Sequence, residues 1–117
     1  MTMDDRFNTR RQEDIMSIKK QYLKNKPVCK VTFRLTRKVA DGAAKAFLAG
    51  DFNSWQTASI PMKALKNGDH TVTLELAPGH EYQYRYLVDG NRWVTDDSAD
   101  RYVASGFADS QNAVIVV

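Results

Sequence analysis

The side chains best equipped for chemistry are acidic residues and histidines, and their spacing limits what they can do. Asp96, Asp97 and Asp100 lie close enough to hold a calcium ion, but their loop lacks the glycine and terminal Glu of an EF-hand. His70 and His80 each abut a turn and have no cysteine or second histidine at metal-ligand spacing, which reads as two surface histidines. Glu75 and Glu81 invite comparison with a glycosidase pair, whose carboxylates stand about 5 to 10 Å apart. Both fall at outward strand positions beside a hairpin, where a solvated charge is the ordinary explanation. No nucleophile, acid and base converge. The sequence is therefore expected to carry no catalytic residue, no metal site and no cofactor.

The two tryptophans are a different kind of chemical resource. Trp55 follows Gly50-Asp51-Phe52-Asn53-Ser54, where an apolar strand ends in turn-forming residues, and Trp93 follows the turn signal Asp89-Gly90. A loop indole can close the end of a core. It can also form a stacking platform, because a large rigid ring buries apolar surface at little conformational cost, and sugar rings present such faces. Both readings of Trp55 stand at this point.

Composition narrows the field. A chain of 117 residues makes one domain with one core, and it has no apolar run near the roughly 20 residues of a membrane span. Residues 1–27 carry seven Lys/Arg against four acids, whereas residues 28–117 carry ten of each sign. A neutral body offers no clustered cations for phosphate neutralisation, so nucleic acid is not an expected partner. The first 26 residues are charged throughout and lack the apolar stretch of a signal peptide, so the expected location is the cytoplasm. The lone Cys29 sits in an apolar alternation and suits a reducing compartment as a small buried hydrophobe.

The elements that must position these side chains follow from periodicity. Good helix formers run from about Thr9 to Asn25, with Ile15, Ile18 and Tyr22 at helical spacing, so residues 1–27 are expected to form a charged N-terminal extension with one α-helix. Such a helix would pack on the body or pair with another protein or a second copy. After Pro27 the period becomes two. Cys29, Val31, Phe33 and Leu35 share one face; Ala44 to Ala49 make a second strand; Ile60-Pro61-Met62 marks an edge strand. Asn67-Gly68 is a hairpin signal, and Val72, Leu74 and Leu76 alternate up to Pro78-Gly79. Tyr82, Tyr84, Tyr86 and Val88 face one way, which turns Gln83 and Arg85 outward. Arg92 to Val94 fold back from the Asp89-Gly90 turn, and the apolar run Ala113 to Val117 reads as a strand flanked on both sides. About seven short strands with no helix among them describe an antiparallel β-sandwich over residues 28–117.

Several of these segments recur together in one family. Gly50-Asp51-Phe52-Asn53-Ser54-Trp55, Pro61-Met62, the Gly68 hairpin, Leu76-Ala77-Pro78-Gly79, Tyr82 through Gly90, Trp93 and Asn112-Ala113-Val114 resemble, in order and spacing, carbohydrate-binding module family 48. The resemblance covers roughly residues 28–117. It implies an all-β, immunoglobulin-like early-set sandwich that binds α-1,4-linked glucans and leaves catalysis to a separate barrel domain. It further implies that Trp55 and Trp93 stack on sugar and that Arg85, standing where relatives carry Lys, bonds to hydroxyls. Phe107 stands where glycogen binders carry an aliphatic residue, and Gln111-Asn112 where they carry an Asn pair. Phe107 either stacks or caps the sandwich; Gln111 donates to a hydroxyl; Asn112 binds sugar or serves the backbone before the last strand.

Two functions therefore compete. One is a free-standing α-glucan-binding module. The other is a regulatory or scaffold protein in which the same sandwich makes only protein contacts, as immunoglobulin-like domains often do.

Overall fold

Alternating apolar residues become paired strands wherever a second sheet can cover their apolar face, and here two sheets do so for each other. The computed structural model describes residues 18–106 and 110–117. In chain order the elements are β1 (Ile18–Tyr22), β2 (Cys29–Leu35), a short helix α1 (Arg37–Ala40), β3 (Ala46–Gly50), a 3-10 turn (Asp51–Asn53), β4 (Lys63–Ala64) and β5 (His70–Leu76). They continue with β6 (Glu81–Val88), β7 (Arg92–Val94), β8 (Arg101–Ala104) and β9 (Gln111–Val116). One sheet has the order β1-β2-β5-β4, the other β3-β6-β9-β8, with β7 also paired to β6. Every pairing between strands is antiparallel. The expected sandwich is the observed fold.

Its core is the meeting of two alternations. Cys29, Val31, Phe33 and Leu35 from β2 face Leu48 from β3, Tyr84, Tyr86 and Val88 from β6, and Ile115 from β9, all essentially inaccessible to water. Phe33 and Tyr84 meet edge to face with ring centroids 5.0 Å apart. Cys29 is buried and free, as its place in the alternation requires. The expected hairpin at Asn67-Gly68 joins β4 to β5, with Gly68 at φ +93°. Among the described residues no helix is long and apolar enough to cross a membrane.

The N-terminal segment departs from expectation. Ile18–Tyr22 is not helical; it is an edge strand running against β2 in the register Ile18 to Phe33 and Tyr22 to Cys29. The sandwich thus already includes Ile18–Tyr22, before Pro27. The rest of the expected helix, residues 9–17, lies outside the described residues. The cause is visible in the pairing. Ile18, Lys20 and Tyr22 hold the positions opposite core residues of β2, and the middle one is a lysine, which hides the two-residue period. Lys20 is satisfied across the sandwich: its ammonium donates to Asp100 Oδ2 at 2.8 Å and to the Val116 carbonyl at 2.7 Å. An inward lysine on an edge strand is also a known guard against edge-to-edge pairing. Helix propensities differ by only a few tenths of a kcal/mol per residue, so tertiary pairing overrides them here.

A second strand, β8, was not expected, and neither was a helix among the strands; α1 lies between β2 and β3, and Thr36 caps it by accepting from the Val39 N–H. His70 also differs from its reading as a surface residue. It is only 2% exposed, and neither ring nitrogen has a hydrogen-bond partner among the described residues. As the first residue of β5 it pairs with Leu35 on one side and Ala64 on the other, which turns its ring into the core layer.

Candidate functional site

The outward face of the second sheet is built by β6. With Tyr82, Tyr84 and Tyr86 directed inward, Gln83 and Arg85 project to the other side. Their cross-strand neighbours are small or flat. Arg85 stands opposite Ala49 on β3, and Trp93 on β7 stands opposite Leu87, the next outward residue of β6. These neighbours leave an open depression of about 570 Å³ lined by Trp55, Gln83, Arg85, Trp93, Ser105 and Asn112.

Its two indoles form an angled wall. The Trp55 and Trp93 rings are 6.5 Å apart between centroids and inclined by 59°. Trp93 is 41% exposed, a large apolar surface left open to water. The Arg85 guanidinium carbon lies 6.0 Å from the Trp93 ring centroid, within cation–π range. Burial holds the Arg85 guanidinium below its ordinary value, yet it remains a cation at neutral pH. Its Nε is buried without a hydrogen-bond partner among the described residues, a donor free for a ligand. Asn112 donates from Nδ2 to Gln83 Oε1 at 3.0 Å, which orients the Gln83 amide beside Arg85.

The strand end that delivers Trp55 is tightly made. A Cβ on Gly50 would fall 2.4 Å from the Gln83 carbonyl oxygen, so only glycine lets β3 lie this close to β6 here. Phe52 then turns inward and packs on the core beside Phe33 and Tyr82, with ring centroids 5.8 and 6.0 Å away. Phe52 closes this end of the sandwich, and Trp55 stays outside it, half-buried. Ser54 and Trp55 both take left-handed conformations, at φ 58° and 59°. For residues with a Cβ that costs roughly 1–2 kcal/mol each. Asp51 spans the gap, accepting from Trp55 Nε1 at 2.9 Å and from the Gln83 backbone N–H at 2.8 Å.

The family model described as the glycogen recognition site of AMP-activated protein kinase matches residues 33–117. The chain belongs to this family. The family is a recognition module and not a catalytic domain. Three relatives, the 5'-AMP-activated protein kinase subunit beta-2 of Mus musculus, Rattus norvegicus and Homo sapiens, are each 41% identical over 59 residues. That stretch is 50% of this chain and 20% of each relative, so the shared part is a small portion of those proteins.

Within this glycogen-recognition module the remaining expected site residues part company. Trp55, Arg85, Trp93 and Asn112 come together around the depression. Gln111 does not line it, because it precedes Asn112 on β9 and falls on the alternate face. Phe107 lies outside the described residues. Ser105 joins the lining from the end of β8 without any signal in the sequence, and Asp51 and Gln83 were legible only as a turn former and an outward residue.

The acidic cluster next to the site is structural. Asp96 is almost fully buried, and its Oδ2 accepts from the Tyr84 hydroxyl at 2.7 Å and the Tyr86 hydroxyl at 3.2 Å. Burial, reinforced by the neighbouring charges, pushes both phenols well up, so they remain donors. Those tyrosines flank Arg85 on β6, and Asp96 lies just past Trp93, so the network ties the two strands together from beneath. Asp100 serves Lys20 and the Val116 N–H instead. Glu81 pairs with Arg101 and Glu75 with Lys26, the latter at 3.8 Å. Among the described residues no group of three His, Cys, Asp or Glu side chains could hold a metal ion.

Proposed function

We propose that this module binds α-1,4-linked glucan, as glycogen or maltooligosaccharide, in the depression of the second sheet and does not hydrolyse it. One observation carries the reading: two inclined indoles flank a half-buried guanidinium whose Nε has no partner among the described residues. The indole faces suit the apolar faces of glucose units, and the unsatisfied donor suits their hydroxyls. Trp55, Trp93 and Arg85 are the principal contacts, with Gln83 and Asn112 as a polar rim. Membership of a glycogen-recognition family supports the same ligand class.

An open site of this size buries few ligand atoms, so the dissociation constant is expected at about 10 μM to 1 mM. Retention on insoluble amylose or glycogen, followed by calorimetry with maltoheptaose, tests the proposal. A folded protein that neither support retains would overturn it in favour of a scaffold role, and release of reducing ends would overturn its non-catalytic part. A protein partner or a second copy, if one uses the N-terminal segment, meets the exposed edge of β1 and Tyr22; elution volume of the full chain tests this. The single buried cysteine suits the reducing cytoplasm.

A further inference from the structure

The stacking platform has a feature that stacking alone does not require. Its indole N–H is already bonded. Trp55 Nε1 donates to Asp51 Oδ1 at 2.9 Å, while the other oxygen of the same carboxylate accepts the Gln83 backbone N–H at 2.8 Å. Among the described residues, Asp51 is thus the side chain that hydrogen-bonds the Trp55 ring directly to β6, the strand presenting Gln83 and Arg85.

That link matters because the backbone beneath Trp55 is not restful. Ser54 and Trp55 are consecutive non-glycine residues in the left-handed region. The turn is held locally by Asn53, whose Oδ1 accepts from the Gly50 N–H at 3.1 Å and whose Nδ2 donates to the Gln56 carbonyl at 3.0 Å and Ser59 Oγ at 2.9 Å. Those bonds shape the loop but touch neither the indole nor β6. Asp51 does both, and it can reach only because Gly50 brings the end of β3 against Gln83.

We propose that Asp51 is the positioning residue of the binding surface: its two carboxylate oxygens fix the Trp55 ring at its angle to Trp93 and occupy its N–H. This rests on the glucan-binding reading above. A consequence for specificity follows. With its only donor engaged, Trp55 offers a sugar nothing but its face, so hydroxyl recognition falls to Arg85, Gln83 and Asn112.

The test uses Asp51→Ala, which removes both acceptors, and Asp51→Asn, which keeps one oxygen. Two indoles this close couple as excitons, and the far-ultraviolet circular dichroism couplet reports their mutual geometry without any ligand; Trp93→Phe identifies the signal by abolishing it. Asp51→Ala is expected to collapse the couplet and weaken maltoheptaose binding roughly tenfold, the scale of a lost hydrogen bond to a charged group. Asp51→Asn falls between it and the native chain. An unchanged couplet in a folded variant overturns the proposal, and so does unchanged affinity alongside a lost couplet. A drop in melting temperature with affinity intact in the folded fraction makes Asp51 merely structural and overturns it equally. If Asp51→Ala does not fold, Asp51→Asn decides by the same measures. If the native chain binds no glucan, the failure belongs to the functional reading, and the couplet still decides whether Asp51 sets the ring geometry.

Discussion

Replacing Trp55 by alanine separates a stacking platform from a plug, because the structure assigns different energies to the two. Trp55 is half-buried and lies outside the core that Phe52 seals. Its contributions to stability are the tilted contact with Trp93, about 1 kcal/mol for an aromatic pair, and the Nε1 bond to Asp51, about 1 kcal/mol more. Trp55→Ala should therefore cost about 2 kcal/mol at most. Phe52→Ala, which opens a cavity against Phe33 and Tyr82, should cost about 3–5 kcal/mol. At about 4 °C per kcal/mol for a domain of this size, these translate to a fall of no more than about 8 °C against at least about 12 °C. Binding should order the variants the other way. Loss of a stacking aromatic removes roughly 1–3 kcal/mol, or about 5- to 150-fold in Kd, so Trp55→Ala should nearly abolish a weak glucan interaction. Thermal denaturation and maltoheptaose calorimetry on one preparation of each variant provide both readings. Trp55 is a plug and not a platform if Trp55→Ala melts as low as Phe52→Ala while its folded fraction binds glucan with native affinity.

Three further outcomes follow from particular contacts. Arg85→Met keeps the apolar stem beside Trp93 but removes the donor fork, and should lose about 1.5–3 kcal/mol of glucan affinity, with Arg85→Lys intermediate; calorimetry on both checks the order. Partial burial raises the Asp69 carboxyl, but the Arg37 N–H at 2.7 Å, the Arg34 guanidinium and the Asn67 amide outweigh it and hold the group below its ordinary value. A lowered native pKa gives stability that is complete above the unfolded value of about 4 and is lost as pH falls through the native one, so Asp69→Asn should flatten the acid limb of urea-denaturation midpoints plotted against pH. A chain beginning at residue 23 should melt lower than one beginning at residue 18, since it loses β1, about 1.5–3 kcal/mol from burial of Ile18, and the Lys20 bonds across the sandwich. Equal melting temperatures would contradict the placement of β1 in the sheet.

The strands that could be read from sequence are those whose inward positions are all apolar. Cys29 to Leu35 alternate throughout, and Tyr82 to Val88 alternate except for the apolar outward Leu87, so period and face were both readable. Segment 18–22 was not, because its middle inward position is Lys20, whose partners Asp100 and Val116 lie 80 and 96 residues away, Val116 in the other sheet. The β8 strand has the same difficulty in another form: Arg101 follows an acidic loop and bonds to Glu81, so the segment reads as surface charge until β9 is placed beside it. His70 shows the converse error. A polar residue next to a turn signal is taken for surface, yet the register that sets Leu35 and Ala64 against it carries its ring inward.

The site divides along the same line. Trp55, Arg85 and Trp93 could be named from residue type, turn chemistry and alternation, and the sheet brings them around one depression. What alternation could not decide was which aromatic after Gly50 enters the core, since Phe52 and Trp55 both leave the strand together. The answer depends on two backbone facts invisible in the residue string: the 3-10 turn that rolls Phe52 under the sandwich, and the left-handed pair that throws Trp55 outward. Asp51 sits between them with one oxygen for each neighbour it must hold. A carboxylate in that place reads as an ordinary turn former, because Asp bonds locally in most turns; that it bonds instead to an indole and to a distant strand follows only from the close approach that Gly50 permits. The same close approach makes Gly50 a determinant of the site, although it contributes no side chain to it.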